Sequence, residues 1–179
     1  MSSLSERLRE RIAREGPISF VDFMGAALQD PSDGYYARGA AIGEGGDFVT
    51  SPHVAAAFGA ALARLFAIDA EALPGTVDFV EVGAGDGRLL EDFTAALAEI
   101  DPDLHGRLRV TAVEASERAR RDLAARRILP APRILSSADE LPESSVEGWV
   151  FSNELYDALP VARVAGSDRG LQELSLIHI

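Results

Sequence analysis

The sequence contains no cysteine, which removes disulfides, thiolate metal sites and thiol nucleophiles together. Its three histidines, His53, His105 and His178, lie too far apart to set two imidazoles on one helical face. Each reads as a surface residue, and no metal is expected. Basic residues are scarce: 17 Lys and Arg stand against 29 Asp and Glu, a net charge of -12. That balance argues against an extended nucleic-acid surface, which needs clustered cations. The longest apolar run, Val54 to Ile68, is interrupted by Arg64 and is too short to cross a bilayer, so no membrane insertion is expected. Met1 to Gly16 mixes Glu6, Glu10 and Glu15 with arginines and has no apolar core, unlike a secretory or transit segment. A cytoplasmic location is expected on that ground.

What is present is an apolar share of 47% in 179 residues, enough for one sizeable core. Ser3 and Glu6 form a capping box ahead of Leu4, Leu8 and Ile12, whose four-residue spacing predicts a helix broken by Gly16-Pro17. Ser19 caps a second helix, Phe20 to Gln29, which ends at Asp30-Pro31 and the turn Ser32 to Tyr36. Four glycines between Arg38 and Asp47 predict a bent loop, and Ser51-Pro52 opens a third helix running to about Asp69. Everything before Leu73 reads as helix and loop.

After Pro74-Gly75 the pattern alternates. Val77 to Val82, Arg109 to Val113, Arg133 to Leu135 and Trp149 to Phe151 read as strands, and Leu89 to Ile100 and Glu117 to Arg127 as helices between them. This predicts an α/β fold: a Rossmann-like parallel sheet with right-handed crossovers over residues 73–179, preceded by a helical N-terminal extension over 1–72. Val161 to Val164 and Leu171 to Leu174, joined through Gly166 to Gly170, are candidates for a fifth and sixth strand. The sheet is expected to be incomplete at the C-terminus and the chain, as it stands, inactive.

The first strand runs into Glu81-Val82-Gly83-Ala84-Gly85-Asp86-Gly87-Arg88. A glycine cluster at a strand-to-helix turn permits a sharp bend and close approach to a ligand. A dinucleotide fingerprint asks for a third small residue where Arg88 stands, which argues against an NAD-dependent oxidoreductase. Glu81 would repel a pyrophosphate and attract an ammonium group, and S-adenosylmethionine carries that ammonium and no phosphate. Glu114, ending the second strand, is placed to accept both hydroxyl protons of a ribose, although a solvated strand end beside Arg118 is the plainer alternative. Asp139, after the third strand, is a candidate contact to an adenine amino group or a cap of its own turn. Asn153, Glu154 and Asp157 follow the fourth strand, where they are candidates to position an acceptor beside the methyl group or, alternatively, to cap a short helix. Tyr35, Tyr36, Tyr156 and Leu159 read as packing residues.

Glu81-x-Gly83-x-Gly85-x-Gly87 with Glu114 resembles the first two motifs of class I S-adenosylmethionine-dependent methyltransferases. Within that superfamily, further stretches resemble the MidA-like proteins, which include a mitochondrial complex I assembly factor. They are Ile18-Ser19-Phe20 through Met24 with Asp33 to Tyr36, Gly46 to Pro52, and Phe151 to Pro160. His53 stands where that family commonly has an acidic residue. The resemblance implies S-adenosyl-L-methionine as cofactor and methyl transfer to a protein nitrogen, an arginine of a respiratory complex I subunit in the mitochondrial member. A non-catalytic assembly module that keeps a nucleoside pocket is the alternative.

Overall fold

In the computed structural model, which describes residues 2–38 and 56–179, the expected capping box opens the chain. The Ser3 side chain accepts from the Glu6 amide at 3.3 Å, and the Glu6 carboxylate accepts from the Ser3 amide at 2.7 Å. Two N–H groups that a helix end leaves unpaired are thereby satisfied. Helix α1 (Leu4–Glu15) follows. Ser19 repeats the device for α2 (Phe20–Gln29), accepting from the Asp22 amide at 3.0 Å. Arg7 of α1 ties the two helices together by pairing with Asp30 at 2.6 Å and Asp33 at 3.0 Å. Tyr35 and Tyr36 pack edge to face with centroids 5.3 Å apart. The expected glycine loop and the Ser51-Pro52 start of the third helix lie outside the described residues; from Ala57 onward that helix is present as α3 (Ala57–Ala70).

Contacts divide the chain into two compact units, Met1–Ala40 with Tyr156–Ile179, and Ala41–Leu155. The first holds α1, α2 and two small antiparallel pairs. A two-residue strand β1 (Ile18–Ser19) pairs with the last strand, β8 (Ser175–Leu176). This corrects the expectation that everything before Leu73 is helix and loop: β1 is too short to show periodicity, and its partner lies at the other end of the chain. Strands β6 (Val164–Ser167) and β7 (Gly170–Glu173) form a hairpin turning at Asp168-Arg169; β6 shares only Val164 with the expected strand Val161 to Val164, and β7 starts one residue before the expected Leu171. They form a separate two-stranded sheet and are not the fifth and sixth strands of the large one. All eight of their residues are exposed, so neither strand has an apolar face with which to join a core.

The second unit carries the parallel sheet. Its strands β2 (Val77–Val82), β3 (Leu108–Val113), β4 (Arg133–Leu135) and β5 (Gly148–Phe151) lie in the order β4-β3-β2-β5. Crossovers run through α4 (Arg88–Ile100) with the short α5 (Pro102–Gly106), and through α6 (Glu117–Ala124). Central strand β2 buries Val77 to Glu81 on both faces, as a strand covered by helices must. Phe66 of α3 sits against Phe79, Phe93 and Trp149 at 5.7, 5.5 and 5.5 Å, all edge to face, and Phe79 stacks on Phe93 at 4.0 Å. Val80, Val113 and Leu135 form the smaller cluster on the other side.

Register is locked by a charge. Asp78, buried in β2, lies opposite Arg109 in β3 and accepts from its Nε at 2.8 Å and Nη2 at 2.7 Å. The same carboxylate accepts from the Glu147 amide at 2.8 Å at the start of β5. One side chain thus aligns three strands. Because the chain builds outward from β2 through β3 to β4 and then returns to the far side of β2, the strand order reverses between β2 and β5. Open α/β sheets bind ligands beyond the carboxyl ends of their strands at such a reversal.

Truncating Phe66 to Ala should cost about 3–5 kcal/mol by leaving a cavity against three rings, whereas Leu171→Ala on the exposed hairpin should stay within about 0.5 kcal/mol. Urea unfolding of both variants beside the parent checks this. Equal midpoints for the two would show that the core is misassigned.

Candidate functional site

Beyond β2 the backbone enters Gly83-Ala84-Gly85-Asp86-Gly87 and turns into α4 at Arg88. Gly83, Gly85 and Gly87 take φ of +80°, +56° and +80°, which side chains with a Cβ rarely adopt. The Gly83 and Ala84 amides donate to the Val113 carbonyl at 2.8 and 3.2 Å, fastening the loop to the end of β3. The three glycines differ in what surrounds them. A Cβ on Gly87 would lie 2.8 Å from Leu123 Cγ, so this glycine permits close packing of the loop on α6. Among the described residues a Cβ on Gly85 meets nothing within 4 Å, which leaves that side of the loop open to an approaching ligand. The small residue sought at the position of Arg88 is therefore supplied one residue earlier, by Gly87.

Glu114 braces the same loop. Its Oε2 accepts from the Gly85 amide at 2.8 Å and its Oε1 from the Ser116 amide at 2.7 Å, while its own amide donates to the Leu135 carbonyl at 2.9 Å. The carboxylate is held by two amides, one on each oxygen, rather than solvated as a free strand end. A carboxylate offers about four lone-pair directions, so acceptor capacity remains for two further donors.

Glu81, two residues before Gly83, is only 2% exposed. Among the described residues its Oε2 has no hydrogen-bond partner. Burial, and then the nearby Asp86 and Glu114, push its carboxyl up to about 8. Asp86 is engaged by Arg126, from the segment after α6, whose guanidinium donates to the Asp86 carboxylate and carbonyl and, at 2.7 Å, to Glu91 in the first turn of α4. The sequence reading missed Arg126. It stands 40 residues from Asp86, and the only local sign is a basic pair at the end of a helical pattern.

The remaining candidates are placed less closely. Asp139 sits in a 3-10 turn (Ala138–Glu140) that Ser137 caps: the Asp139 amide donates to Ser137 Oγ at 3.2 Å and the Ser137 hydroxyl donates back to the Asp139 carboxylate at 3.2 Å, so Asp139 is capped and is not itself the cap. A Cβ on Gly83 would lie 2.9 Å from Leu155 Cδ1, so the segment after β5 passes against the glycine loop and carries Asn153 and Glu154 with it. Glu154 is exposed and has φ +49°, an uncommon conformation for a residue with a side chain. Asp157 is exposed in the 3-10 turn Tyr156–Ala158, which belongs to the other unit. Tyr156, expected to pack, is 77% exposed. Asp47, Ser51 and His53 lie outside the described residues.

Residues 61–178 match the model of a family described as "Putative S-adenosyl-L-methionine-dependent methyltransferase". The chain is 27% identical to the Drosophila melanogaster homolog of protein arginine methyltransferase NDUFAF7, over 96% of this chain and 44% of that protein. It is 34% identical to the Danio rerio protein of that name, over 55% of this chain and 24% of that protein. A Burkholderia thailandensis protein, solved bound to S-adenosyl-homocysteine, superposes with a TM-score of 0.80 at 36% identity, over 96% of this chain and 46% of that one. The chain thus spans less than half the length of these relatives. The fly and zebrafish proteins are named mitochondrial, which overturns the cytoplasmic location expected from the sequence. That expectation rested on the mixed charge of the first sixteen residues, which does not itself specify a compartment.

A carboxyl whose folded pKa lies above its unfolded value keeps its proton in the native state while the unfolded chain loses it. Stability therefore falls as pH rises from about 4.5 to about 8, by roughly 1.4 kcal/mol per pH unit at most. Glu81→Gln should remove this slope and raise the melting temperature at pH 8. Melting both proteins from pH 5 to pH 8 tests it; parallel curves would mean that Glu81 is already ionised.

Proposed function

The chain belongs to the S-adenosyl-L-methionine-dependent methyltransferase family, and we propose that it binds S-adenosylmethionine on the glycine loop and serves methyl transfer to a protein arginine. The observation that carries this reading is the pairing of a buried carboxyl, Glu81, whose Oε2 has no partner among the described residues, with a loop position, Gly85, that is open on its Cβ side and whose amide is held by Glu114. These residues fit the cofactor: Glu81 suits its ammonium, the unfilled side of Gly85, with Ala84 before it in the loop, suits close contact with its sugar, and the spare lone pairs of Glu114 suit ribose hydroxyls. Asp139 is assigned to the adenine amino group. When bound, S-adenosylmethionine supplies a methyl group activated on a sulfonium.

An NAD site is disfavoured because Asp86 and Glu114 lie near Glu81 at the loop, where a pyrophosphate would add negative charge to an already acidic site. The protein residues then have three tasks: to align the acceptor nitrogen with the methyl carbon, to exclude water, and to receive the proton that the nitrogen loses. We assign them to Asn153, Glu154 and Asp157. The strained backbone at Glu154, beside the loop, supports its choice, since such conformations persist where surrounding structure enforces them. A carboxylate there would hold guanidinium N–H groups by charge-assisted hydrogen bonds and leave electron density on the attacking nitrogen. An arginine acceptor follows the names of the fly and zebrafish relatives. A respiratory complex I subunit as protein partner follows the sequence resemblance alone.

Calorimetry should detect binding of S-adenosylhomocysteine but not of NAD. Gly85→Val should abolish it, and Glu114→Ala should weaken it by about 1–3 kcal/mol through lost hydrogen bonds, with Glu114→Gln milder because it keeps an acceptor. Unchanged affinity in all three variants would remove the pocket from this loop. In a chain extended to its relatives' full length, Glu154→Gln and Asp157→Asn should lower transfer of labelled methyl groups into protein while leaving product affinity nearly intact. Product binding without any transfer in that extended chain would favour a non-catalytic assembly role.

A further inference from the structure

Glu81 occupies an unusual electrostatic position. In register it lies beside Ala112 of β3 and Phe151 of β5, neither of which carries charge. The loop contributes Asp86 and the end of β3 contributes Glu114, both acidic. Of the cations on the neighbouring elements, Arg126 pairs with Asp86 and Glu91, Arg120 donates to the Glu114 and Ala115 carbonyls, and Arg88 lies 4.0 Å from Asp92. No cation of the described residues pairs with Glu81, and its Oε2 faces no donor. A buried carboxyl with acidic neighbours and no counter-cation retains its proton, and its pKa of about 8 agrees.

We infer that cofactor uptake by this chain is an exchange of one cation for another: Glu81 carries a proton in the free protein and releases it to solvent when the cofactor's ammonium group arrives. The inference rests on the reading of this loop as the S-adenosylmethionine site. The O–H bond of Glu81 breaks heterolytically, the carboxylate keeps the electron pair, the proton passes to buffer, and the ammonium becomes the counter-ion. Nothing is oxidised or reduced. The same exchange makes Glu81 a specificity residue, because a ligand without the amino group offers nothing to replace the proton.

Calorimetric titration of the intact chain with S-adenosylhomocysteine, repeated at pH 7 in phosphate and in Tris, reads the proton directly. About one proton should be released per product bound, and affinity should rise by up to about tenfold per unit between pH 6 and pH 7.5. The product analogue lacking its amino group should bind with no release, and Glu81→Gln should bind the normal product with no release and a flat pH profile. Should that variant fail to fold, a carbon-13 titration of glutamate-labelled parent protein decides: one carboxyl should titrate near pH 8 in the free chain and stay ionised in the complex. Binding without proton release, or glutamates that all titrate below pH 6, overturns the exchange while leaving the cofactor site standing. No binding of the product at all would instead remove the site, and the exchange with it.

Discussion

The hydrogen bond from the Gly85 amide to the Glu114 carboxylate is the interaction on which the site depends. It joins the end of β3 to a loop whose three glycines all hold positive φ, a conformation with little intrinsic preference for one shape. Without an external brace, such a segment would sample many arrangements. Glu114 fixes it from one side, the Val113 carbonyl from beneath, and Arg126 from the flank through Asp86. The loop is thus shaped before any ligand is present, so little ordering entropy is left for binding to overcome.

The same braces concentrate negative charge. Glu81, Asp86 and Glu114 are drawn to one end of the sheet by backbone geometry, and Arg126 compensates Asp86. Glu114 is compensated by amide dipoles, and Glu81 by keeping its proton. These are three different answers to the same electrostatic problem. Only the third leaves a group whose state a ligand can change.

Local features of this fold could be read directly from residue order. The Ser3 and Ser19 caps, the span Phe20 to Gln29 and the four parallel strands each declare themselves within a few residues, through capping chemistry or apolar runs. The loop from Gly83 to Gly87 and the acidic residue at 114 were legible for the same reason. What escaped reading depends on distant partners. The packing role of Gly87 is set by Leu123, the loop clamp by Arg126, and β1 by Leu176. The hairpin between Val164 and Glu173 was legible as a pair of strands. Its separation from the main sheet was not, because turn chemistry specifies a neighbour and leaves the neighbour's own surroundings open.

Strand β2 has hydrogen-bonded neighbours on both sides and is buried over five of its six residues, whereas β6 and β7 pair only with each other and are exposed throughout. Amide protons on these segments are therefore protected by different events. Those of the hairpin exchange with solvent through fraying of two strands. Those of β2, among them the amide of Glu81, wait for an opening that must part the sheet from the helices packed on it. The site's central carboxyl is thus carried by backbone that is buried and paired on both sides, and the loop that begins two residues later inherits a fixed point of departure.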